Sequence, residues 1–412
     1  MNREELIDQC RRARAVLPTL LCESVRREAL ARISCALKKE KEQVLSANRK
    51  DLEKARENGL PKAMMDRLLL DETRLFAVAK AVEAVNDLPD PVHIEKEYTL
   101  ENGLLISKNK VPLGVIAMIY EARPNVTVDA AALCLRSGNA VILRGGKEAL
   151  FTNRALSLVM RSALAPLGLA DAVYLIDDTD RSTVDVLLSL RGHIDLVIPR
   201  GGAGLIRRVV DGARVPVIET GAGNCHVYVH KGADLEKALQ VLVNAKTSRP
   251  SVCNAAETLL CDKEIAPVFL KMADEALSSC GVELRADEAS MAFMPHAIKA
   301  EELDFATEYN DYILAVKTVS GLDEALAHIA AYSTRHSEAI LTEDNAAAER
   351  FLSEVDAAAV YRNASTRFTD GGVFGMGAEI GISTQKLHAR GPFALEALTT
   401  TKYKIYGNGQ VR

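Results

Sequence analysis

Apolar residues recur at helical spacing through residues 1–90, as at Leu30, Ile33 and Leu37. Positions three and four residues apart share one face of a helix, so this spacing is typical of amphipathic helices. Pro18 and Pro61 interrupt the pattern, and proline ends or kinks a helix. The pattern therefore predicts a helical N-terminal layer built from several helices.

A turn signal flanked by strand-like residues lies at Asn102-Gly103. Asn-Gly is strongly preferred in two-residue hairpin turns, so we expect a β-hairpin here. An isolated hairpin is marginally stable in water, and it needs a further strand from this chain or from another subunit. Residues 398–406 form a Thr-rich strand candidate. We predict that residues 99–110 and 391–412 form a small β element for oligomerisation, giving a homodimer or a larger homo-oligomer.

Short apolar runs alternate with helical patterns from residue 111 onward. The predicted strands cover 111–119, 140–143, 172–176, 194–198, 215–218, 226–229, 257–261, 313–318, 339–341 and 357–361. Strands separated by helices are typical of parallel sheets in α/β proteins. Ligands of such sheets bind beyond the carboxyl ends of the strands, which places the polar loops 120–125, 144–147 and 199–204 at a candidate site.

Composition narrows the range of partners. The 412 residues carry a net charge of −5 and 5% aromatic residues without tryptophan, which disfavours nucleic acid. Cysteine pairs at zinc spacing are absent, which favours a reducing compartment and no metal site. The N-terminus has no apolar leader, and no apolar run approaches the roughly 18 residues of a membrane span. We expect a cytoplasmic protein that acts on a small molecule, without membrane contact.

Cys253 is the strongest candidate for chemistry. It lies in the polar run 248–254, where Arg249 and Asn254 supply a cation and an amide near the thiol. Such surroundings lower the pKa of a thiol and make it a nucleophile for a carbonyl carbon. A single cysteine is nevertheless more often a core residue. The other cysteines are interpreted as core filling: Cys10, Cys22, Cys35, Cys134, Cys225, Cys261 and Cys280.

Three further residues have a structural and a functional interpretation. Glu219 follows the predicted strand 215–218, so it is either a general base in a cleft or an exposed loop carboxylate. Asn125 is either a helix N-cap or an amide donor to an oxyanion. Lys147 follows two glycines where a strand gives way to a helix, a place that favours an anion but is common in other proteins. The G-x-G-x-x-G fingerprint is absent, so an ordinary Rossmann site has no direct support.

Five stretches together resemble the aldehyde dehydrogenase superfamily, most closely its gamma-glutamyl phosphate reductase branch. They are IYEARPNVT at 119–127, ETGAGNCH at 219–226, RPSVCNA at 249–255, EYNDYILAV at 308–316 and GMGAEIGIST at 375–384. They follow one another along the chain, which makes the resemblance specific. It implies an α/β, aldehyde dehydrogenase-like fold with a Rossmann-type cofactor domain, an α/β catalytic domain and a small β oligomerisation element.

The resemblance also implies roles in catalysis and substrate binding. Cys253 takes the position of the nucleophile and Asn125 that of the oxyanion donor. Glu219 matches the carboxylate that activates water in hydrolytic relatives, and its role here is open, because a reductase must keep water from its thioester. Four residues in branch-specific stretches are candidates for binding the substrate: Arg123, Arg249, Ser365 and Arg367.

For the cofactor, the resemblance implies NADP(H). Lys147 takes the position that contacts the adenosine ribose, and Glu308 the position that contacts the nicotinamide ribose. Gly201 and Gly202 fall in the turn that binds the pyrophosphate. The superfamily usually has serine at the position of Gly202, so backbone amides or Arg200 must hold the phosphates in this chain.

The implied reaction is the NADPH-dependent reduction of L-glutamyl 5-phosphate to L-glutamate 5-semialdehyde and phosphate through a cysteine thioester, in proline biosynthesis from glutamate. A separate glutamate kinase would supply the acyl phosphate and contact the enzyme transiently. The expected domains are a nucleotide-binding domain at 1–98 and 111–224, a catalytic domain at 225–377, and a return segment at 378–390 that rejoins the nucleotide-binding domain. The alternatives are a hydrolytic or coenzyme A-acylating member of the superfamily and a non-catalytic scaffold.

Overall fold

The computed structural model describes residues 2–121 and 123–412. The chain divides into two compact units, of which the first comprises Met1–Thr220, Met376–Gly381 and Phe393–Arg412. The second comprises Gly221–Gly375 and Ile382–Pro392. The return to the first unit is therefore shorter than the expected segment 378–390, because residues 382–390 belong to the second unit.

The first unit begins with helices, which confirms the predicted helical layer. They are α1 (Arg3–Ala15), α2 (Leu17–Leu20), α3 (Glu23–Lys39), α4 (Lys41–Glu57), α5 (Lys62–Leu68) and α6 (Glu72–Asp87). A capping box in which Asn2 and Glu5 bond each other's backbone N–H starts α1. The apolar stripe of α3 is fully buried at Leu30, Ile33 and Leu37, so burial of one helix face holds this layer together.

A parallel sheet forms the centre of the first unit. The elements that follow α6 are β1 (Ile94–Thr99), β2 (Leu105–Pro112), β3 (Val115–Tyr120), α7 (Asn125–Arg136), β4 (Ala140–Arg144), α8 (Leu150–Leu164), β5 (Val173–Leu175), α9 (Arg181–Leu188), β6 (Leu196–Arg200) and α10 (Ala203–Gly212). The parallel sheet has the strand order β5-β4-β3-β6. Every residue of β3 is buried, as expected for a central strand covered on both faces.

Two predicted strands of this unit are wrong in extent. The predicted strand 111–119 is split, because the chain changes direction at Gly114, where φ is 130°. The predicted strand 215–218 makes only one bridge, between Val197 and Val217. Pro216 accepts a hydrogen bond from Val197 but has no N–H with which to extend a ladder.

The second unit is built around another parallel sheet. Its elements are β7 (Cys225–Val229), α11 (Leu235–Thr247), β8 (Ala256–Asp262), α12 (Ala266–Ser279), β9 (Glu283–Ala286), α13 (Glu288–Met291), β10 (Ile298–Lys299), β11 (Ile313–Val319), α14 (Leu322–Tyr332), β12 (Ser337–Leu341), α15 (Asn345–Glu354) and β13 (Ala359–Arg362). The strand order is β10-β9-β11-β8-β7-β12-β13. Short strands β9 and β10 have no apolar run, which is why the sequence pattern does not predict them.

The last strands are β14 (Gly381–Ser383), β15 (Gly391–Phe393) and β16 (Thr399–Tyr406), and β16 belongs to a small antiparallel sheet in the order β1-β2-β16. The predicted hairpin forms, and its third strand comes from the same chain. Its turn has three residues instead of two, because Leu100 bonds Leu104 across residues 101–103 and Gly103 has a φ of 82°. Within the described residues, no helix is long and apolar enough to cross a membrane.

Candidate active site

The carboxyl ends of three strands bring together several predicted residues of the first unit. Ile119 of β3 lies opposite Arg144 of β4, and Tyr120 lies opposite Arg200 of β6. The segments that directly follow these strands contain Asn125, Lys147 and the Gly201-Gly202 turn. These residues therefore lie along one edge of the sheet, where ligands of parallel sheets bind.

Asn125 is the first residue of α7 and not its N-cap, so the structural interpretation as a cap is wrong. Its side-chain Nδ2 donates a hydrogen bond of 2.9 Å to Oδ2 of Asp129, one turn later. Burial raises the pKa of Asp129 to about 6. An amide nitrogen carries two hydrogens, so Asn125 can hold this bond and still donate to an oxyanion. Asn125 and Asp129 are four residues apart, and residues at this spacing are neighbours on a helix surface. This spacing is the sequence signal that would have indicated their hydrogen bond.

The Gly201-Gly202 turn presents a backbone amide to an anionic group. Gly202 N–H donates to Oε2 of Glu121 at 2.9 Å, at the start of α10. A Cβ at Gly201 would lie 2.7 Å from the carboxyl carbon of Glu121, so the chain packs closely here. Free backbone N–H groups at the start of a helix bind anionic oxygens, and the Glu121 carboxylate occupies such a position here. The turn thus offers a backbone amide to an anionic oxygen, and a phosphate that bound there would have to displace the Glu121 carboxylate.

Lys147, Glu219 and Arg123 also belong to this edge of the first unit. Lys147 is exposed at the start of a short 3-10 turn, where its ammonium is accessible. Glu219 is half-buried and directly follows Ile218, whose backbone N–H donates to the carbonyl oxygen of Val197 in β6. Arg123 is half-buried in the loop between β3 and α7.

In the second unit, Cys253 is half-buried in the loop between α11 and β8. Gly223 lies directly against it, since a Cβ at Gly223 would stand 1.5 Å from the carbonyl oxygen of Cys253. The buried Cys225 thiol donates to that oxygen at 3.2 Å. Burial raises the pKa of Cys225 well above its usual range, so Cys225 remains a thiol that supports the loop.

Glu308 contacts Gly223 from another segment of the second unit. Its Oε1 accepts a hydrogen bond of 2.7 Å from Gly223 N–H. Glu308, Gly223 and Cys253 therefore form one contiguous group inside the second unit, although they lie far apart in the sequence. Residue type alone gave no indication that Gly223 joins the other two.

The loop of Cys253 is also joined to the segment 365–369. Asn254 donates to the carbonyl oxygen of Thr369 at 2.8 Å and accepts from the guanidinium of Arg367. The Arg367 Nε donates to Ser248 at 3.1 Å. Burial, and then the nearby charge of Arg249, lower the pKa of Arg367. Two guanidinium groups beside the thiol loop make this a cationic surface suited to an anion.

Ser365 has a structural role in this arrangement. Its hydroxyl accepts from the N–H of Arg367 at 3.3 Å and caps a short 3-10 turn, Thr366–Phe368. Because Ser365 is only 4% exposed, its hydroxyl would have to turn away from its own backbone to contact a substrate. The predicted candidates Arg249, Ser365 and Arg367 thus occupy one region of the second unit, while Arg123 belongs to the first.

The interpretation of the remaining cysteines as core filling is wrong for three of them. Cys22, Cys35 and Cys280 are exposed. Cys22 and Cys280 flank helices at capping positions, where an apolar pattern does not imply burial. A hydrogen bond with Ser24 lowers the pKa of Cys22. These thiols are therefore accessible to alkylating reagents along with Cys253.

Sequence patterns did not indicate the buried ion pair at the two ends of the Cys253 loop. Lys246 Nζ lies 2.6 Å from Glu257 Oε2, and both side chains are inaccessible to solvent. A carboxylate within the apolar run 255–261 is the signal that would have indicated it, because a charged residue there is buried with a partner. Among the described residues, no group of three or more His, Cys, Asp or Glu side chains is placed to hold a metal ion.

Comparison with known proteins gives consistent matches over most or all of the chain. Residues 2–311 match the aldehyde dehydrogenase family. The chain is 53% identical over 414 residues to the gamma-glutamyl phosphate reductase of Halothermothrix orenii, covering 100% of this chain and 99% of the relative. It is 54% identical to that of Enterococcus faecalis, covering 93% and 92%.

A solved structure gives the same result for the fold. The crystal structure of gamma-glutamyl phosphate reductase from Thermotoga maritima superposes with a TM-score of 0.97 at 48% identity, covering 99% of this chain and 100% of that one. The predicted α/β, aldehyde dehydrogenase-like fold class is confirmed.

Proposed function

The chain belongs to the aldehyde dehydrogenase family, and we propose that it reduces L-glutamyl 5-phosphate to L-glutamate 5-semialdehyde and phosphate, the reductive step from glutamate toward proline. The observation that carries this proposal is 53% identity, from end to end, to a protein named for that activity. The chain is an oxidoreductase of the aldehyde dehydrogenase type. The family and the name of the relatives together specify the reaction.

The thiol of Cys253 provides the nucleophile. As the thiolate, it attacks the acyl carbon of the substrate, and the bond to phosphate breaks, which leaves a thioester on Cys253 and releases phosphate. By the family resemblance, the side-chain amide of Asn125 and the backbone N–H of Cys253 are the proposed donors to the developing oxyanion, a type of contact worth about 3–4 kcal/mol per donor. Collapse of the reduced adduct returns the electron pair to sulfur and frees the aldehyde.

A nicotinamide cofactor is expected from the family, and we propose NADP(H) as the form used. When bound, it supplies the hydride that reduces the thioester. Lys147 would contact the adenosine end and Gly201 and Gly202 the pyrophosphate, as the Glu121 carboxylate at the Gly202 amide supports. The Glu308 carboxylate would bind the nicotinamide ribose while its Oε1 keeps the bond to Gly223.

The cationic surface around the thiol loop accounts for the anionic substrate. We propose that Arg249 and Arg367 bind its carboxylate or phosphate, because two guanidinium groups favour an anion and Arg367 is held in place by Asn254 and Ser248. Arg123 and the hydroxyl of Ser365 remain further candidates. Glu219 is proposed as an orienting carboxylate and not as a base that activates water.

The setting of the enzyme follows from the same proposal. We place it in the cytoplasm as a homodimer or larger homo-oligomer, joined through the sheet of β1, β2 and β16. Its acyl phosphate substrate is short-lived in water, so a separate glutamate kinase would have to supply it, with transient contact between the two enzymes.

An assay in the reverse direction tests the proposal. Glutamate semialdehyde is supplied with NAD or NADP, with and without inorganic phosphate, and absorbance of the reduced cofactor is followed. We expect turnover only with phosphate, and faster with NADP. Oxidation without phosphate would indicate a hydrolytic enzyme, and dependence on coenzyme A would indicate an acylating one. Absence of turnover under every condition would favour a non-catalytic scaffold.

A further inference from the structure

The buried ion pair of Lys246 and Glu257 joins the two ends of the loop that carries Cys253. Lys246 is the second-to-last residue of α11, and Glu257 is the second residue of β8. Their charged atoms lie 2.6 Å apart, with neither side chain exposed. The pair therefore fixes the spacing between the points where the loop leaves one element and enters the next.

The same carboxylate holds the segment that carries Glu308. Oε1 of Glu257 accepts a hydrogen bond of 3.1 Å from the backbone N–H of Asn310, whose φ of 57° turns the chain sharply. Glu308, two residues earlier, bonds Gly223, which packs on Cys253. Two contacts therefore connect the thiol loop with the turn at 308–310. Glu257, where the loop enters β8, bonds Asn310, and Gly223, which packs on Cys253, bonds Glu308.

Stability does not explain why this pair is charged. Removing two ions from water costs several kcal/mol per ion, and apolar side chains of similar volume often replace a buried pair without loss of stability. Burial is the main cause that raises the pKa of Glu257 to about 7 and lowers the pKa of Lys246. The cost of burying these groups points to a geometric role that apolar side chains cannot take.

We propose that Lys246 and Glu257 are positioning residues that set the Cys253 thiol and the Glu308 carboxylate relative to each other. The proposal rests on the roles proposed above for Cys253 and Glu308. A carboxylate suits the position because it faces two donors, the Lys246 ammonium and the Asn310 N–H, and gives each its own oxygen. An amide has a single acceptor oxygen, and its NH2 group would face the other donor.

The test replaces the pair by apolar residues in the variant K246M/E257M. The parent for all measurements carries Cys22→Ser, Cys35→Ser and Cys280→Ser, because those exposed thiols would otherwise react. Three properties are measured on it: the unfolding temperature, the alkylation rate of Cys253, and the Kd for NADPH from the fluorescence of the nucleotide. We expect an unfolding temperature close to that of the parent, with an alkylation rate and a Kd each changed about tenfold.

A matched control is the exposed pair of Lys231 and Glu264 in the same unit, 2.9 Å apart and about half exposed. The variant K231M/E264M should match the parent in all three measurements. If K246M/E257M also matches the parent in alkylation rate and Kd, the pair is only structural and the proposal is wrong.

If the double variant does not fold, E257Q keeps the volume of the side chain and decides the question by the same measurements. An unchanged alkylation rate and Kd in E257Q would likewise overturn the proposal. Failure of the proposed function would appear differently, as a parent protein without phosphate-dependent turnover or NADPH binding. The alkylation rate does not depend on turnover and so tests the positioning role separately.

Discussion

Cys253 differs from the other cysteines in the groups around it. Its neighbour Asn254 accepts a hydrogen bond from the guanidinium of Arg367, and the thiol of the buried Cys225 donates to the carbonyl oxygen of Cys253. The thiolate is the reactive form of a cysteine, and reactive cysteines lie in polar, partly exposed surroundings. The surroundings of this residue, more than its exposure, support its role as the nucleophile, since Cys280 is more exposed but has no such partners in the described contacts.

Cys253→Ala should abolish turnover while leaving the unfolding temperature and NADPH binding nearly unchanged. The thiol forms the covalent bond to the acyl group, and a small side chain in a half-buried loop contributes little to folding. Turnover is followed in the phosphate-dependent assay, with Cys280→Ser as the control that should retain full activity. A Cys253→Ala enzyme with more than about a tenth of the parent rate would refute the nucleophile assignment.

Glu219→Gln should spare most of the phosphate-dependent rate. The thioester is formed to react with hydride or phosphate, so a carboxylate that deprotonates water is not required. The alkylation rate of Cys253 as a function of pH, measured in the background lacking Cys22, Cys35 and Cys280, shows whether Glu219 also tunes the thiol. A loss above about a hundredfold, some 2.7 kcal/mol, with an unchanged alkylation profile would make Glu219 an essential base.

At the scale of elements, the segment that leads into β7 determines where the thiol loop rests. Gly223 has no side chain, and this absence allows its backbone to touch Cys253 and to donate to Glu308. Any other residue would have to displace the backbone of the loop. Because Cys253 and Glu308 both depend on this contact, one substitution in the segment affects both.

Gly223→Ala should therefore slow turnover strongly and destabilise the fold by about 1–3 kcal/mol, the usual cost of overpacking. Gly212→Ala is the matched control, since a Cβ there would lie 3.7 Å from the nearest side chain, in ordinary contact. That control should be neutral or slightly stabilising, because alanine favours a helix more than glycine does. Denaturant unfolding and the phosphate-dependent assay measure the two effects. Equal behaviour of the two variants would contradict the close packing at Gly223.

At the scale of the whole molecule, the sheet of β1, β2 and β16 has features of an interface. Residues of β1 are exposed along the entire strand, and Tyr403, Ile405 and Tyr406 of β16 are each more than half exposed. Exposed apolar side chains on edge strands favour pairing with another chain. The third strand comes from the same chain, so the sheet is complete in one subunit and its edges remain to be paired.

Tyr403→Lys combined with Ile405→Lys should convert a dimer to a monomer, since two charges on an edge strand oppose pairing. Light scattering at micromolar concentration measures the molecular mass. Val268→Lys, on an exposed position of α12, is the control and should leave the mass unchanged. A parent protein that is already monomeric would show that this sheet does not join subunits.

The sequence by itself determined the elements and the candidate chemistry. Helix α3, hairpin β1–β2 and the buried strand β3 follow from local patterns of apolar and polar residues, because such patterns depend only on neighbouring positions. The same holds for the polar segments that carry Asn125, Lys147 and Cys253. Errors arose where one residue overrides a pattern, as Pro216 and Gly114 do for two strands.

Only the tertiary structure decided which of these residues meet. Glu308 and Gly223 are 85 residues apart, and Glu121 and Gly202 are 81 apart, yet each pair shares a hydrogen bond. Such contacts depend on strand order and on how loops pack, which no local pattern contains. The pairing of Lys246 with Glu257 was also evident only from the tertiary structure, because a charge is buried only where the fold supplies its partner.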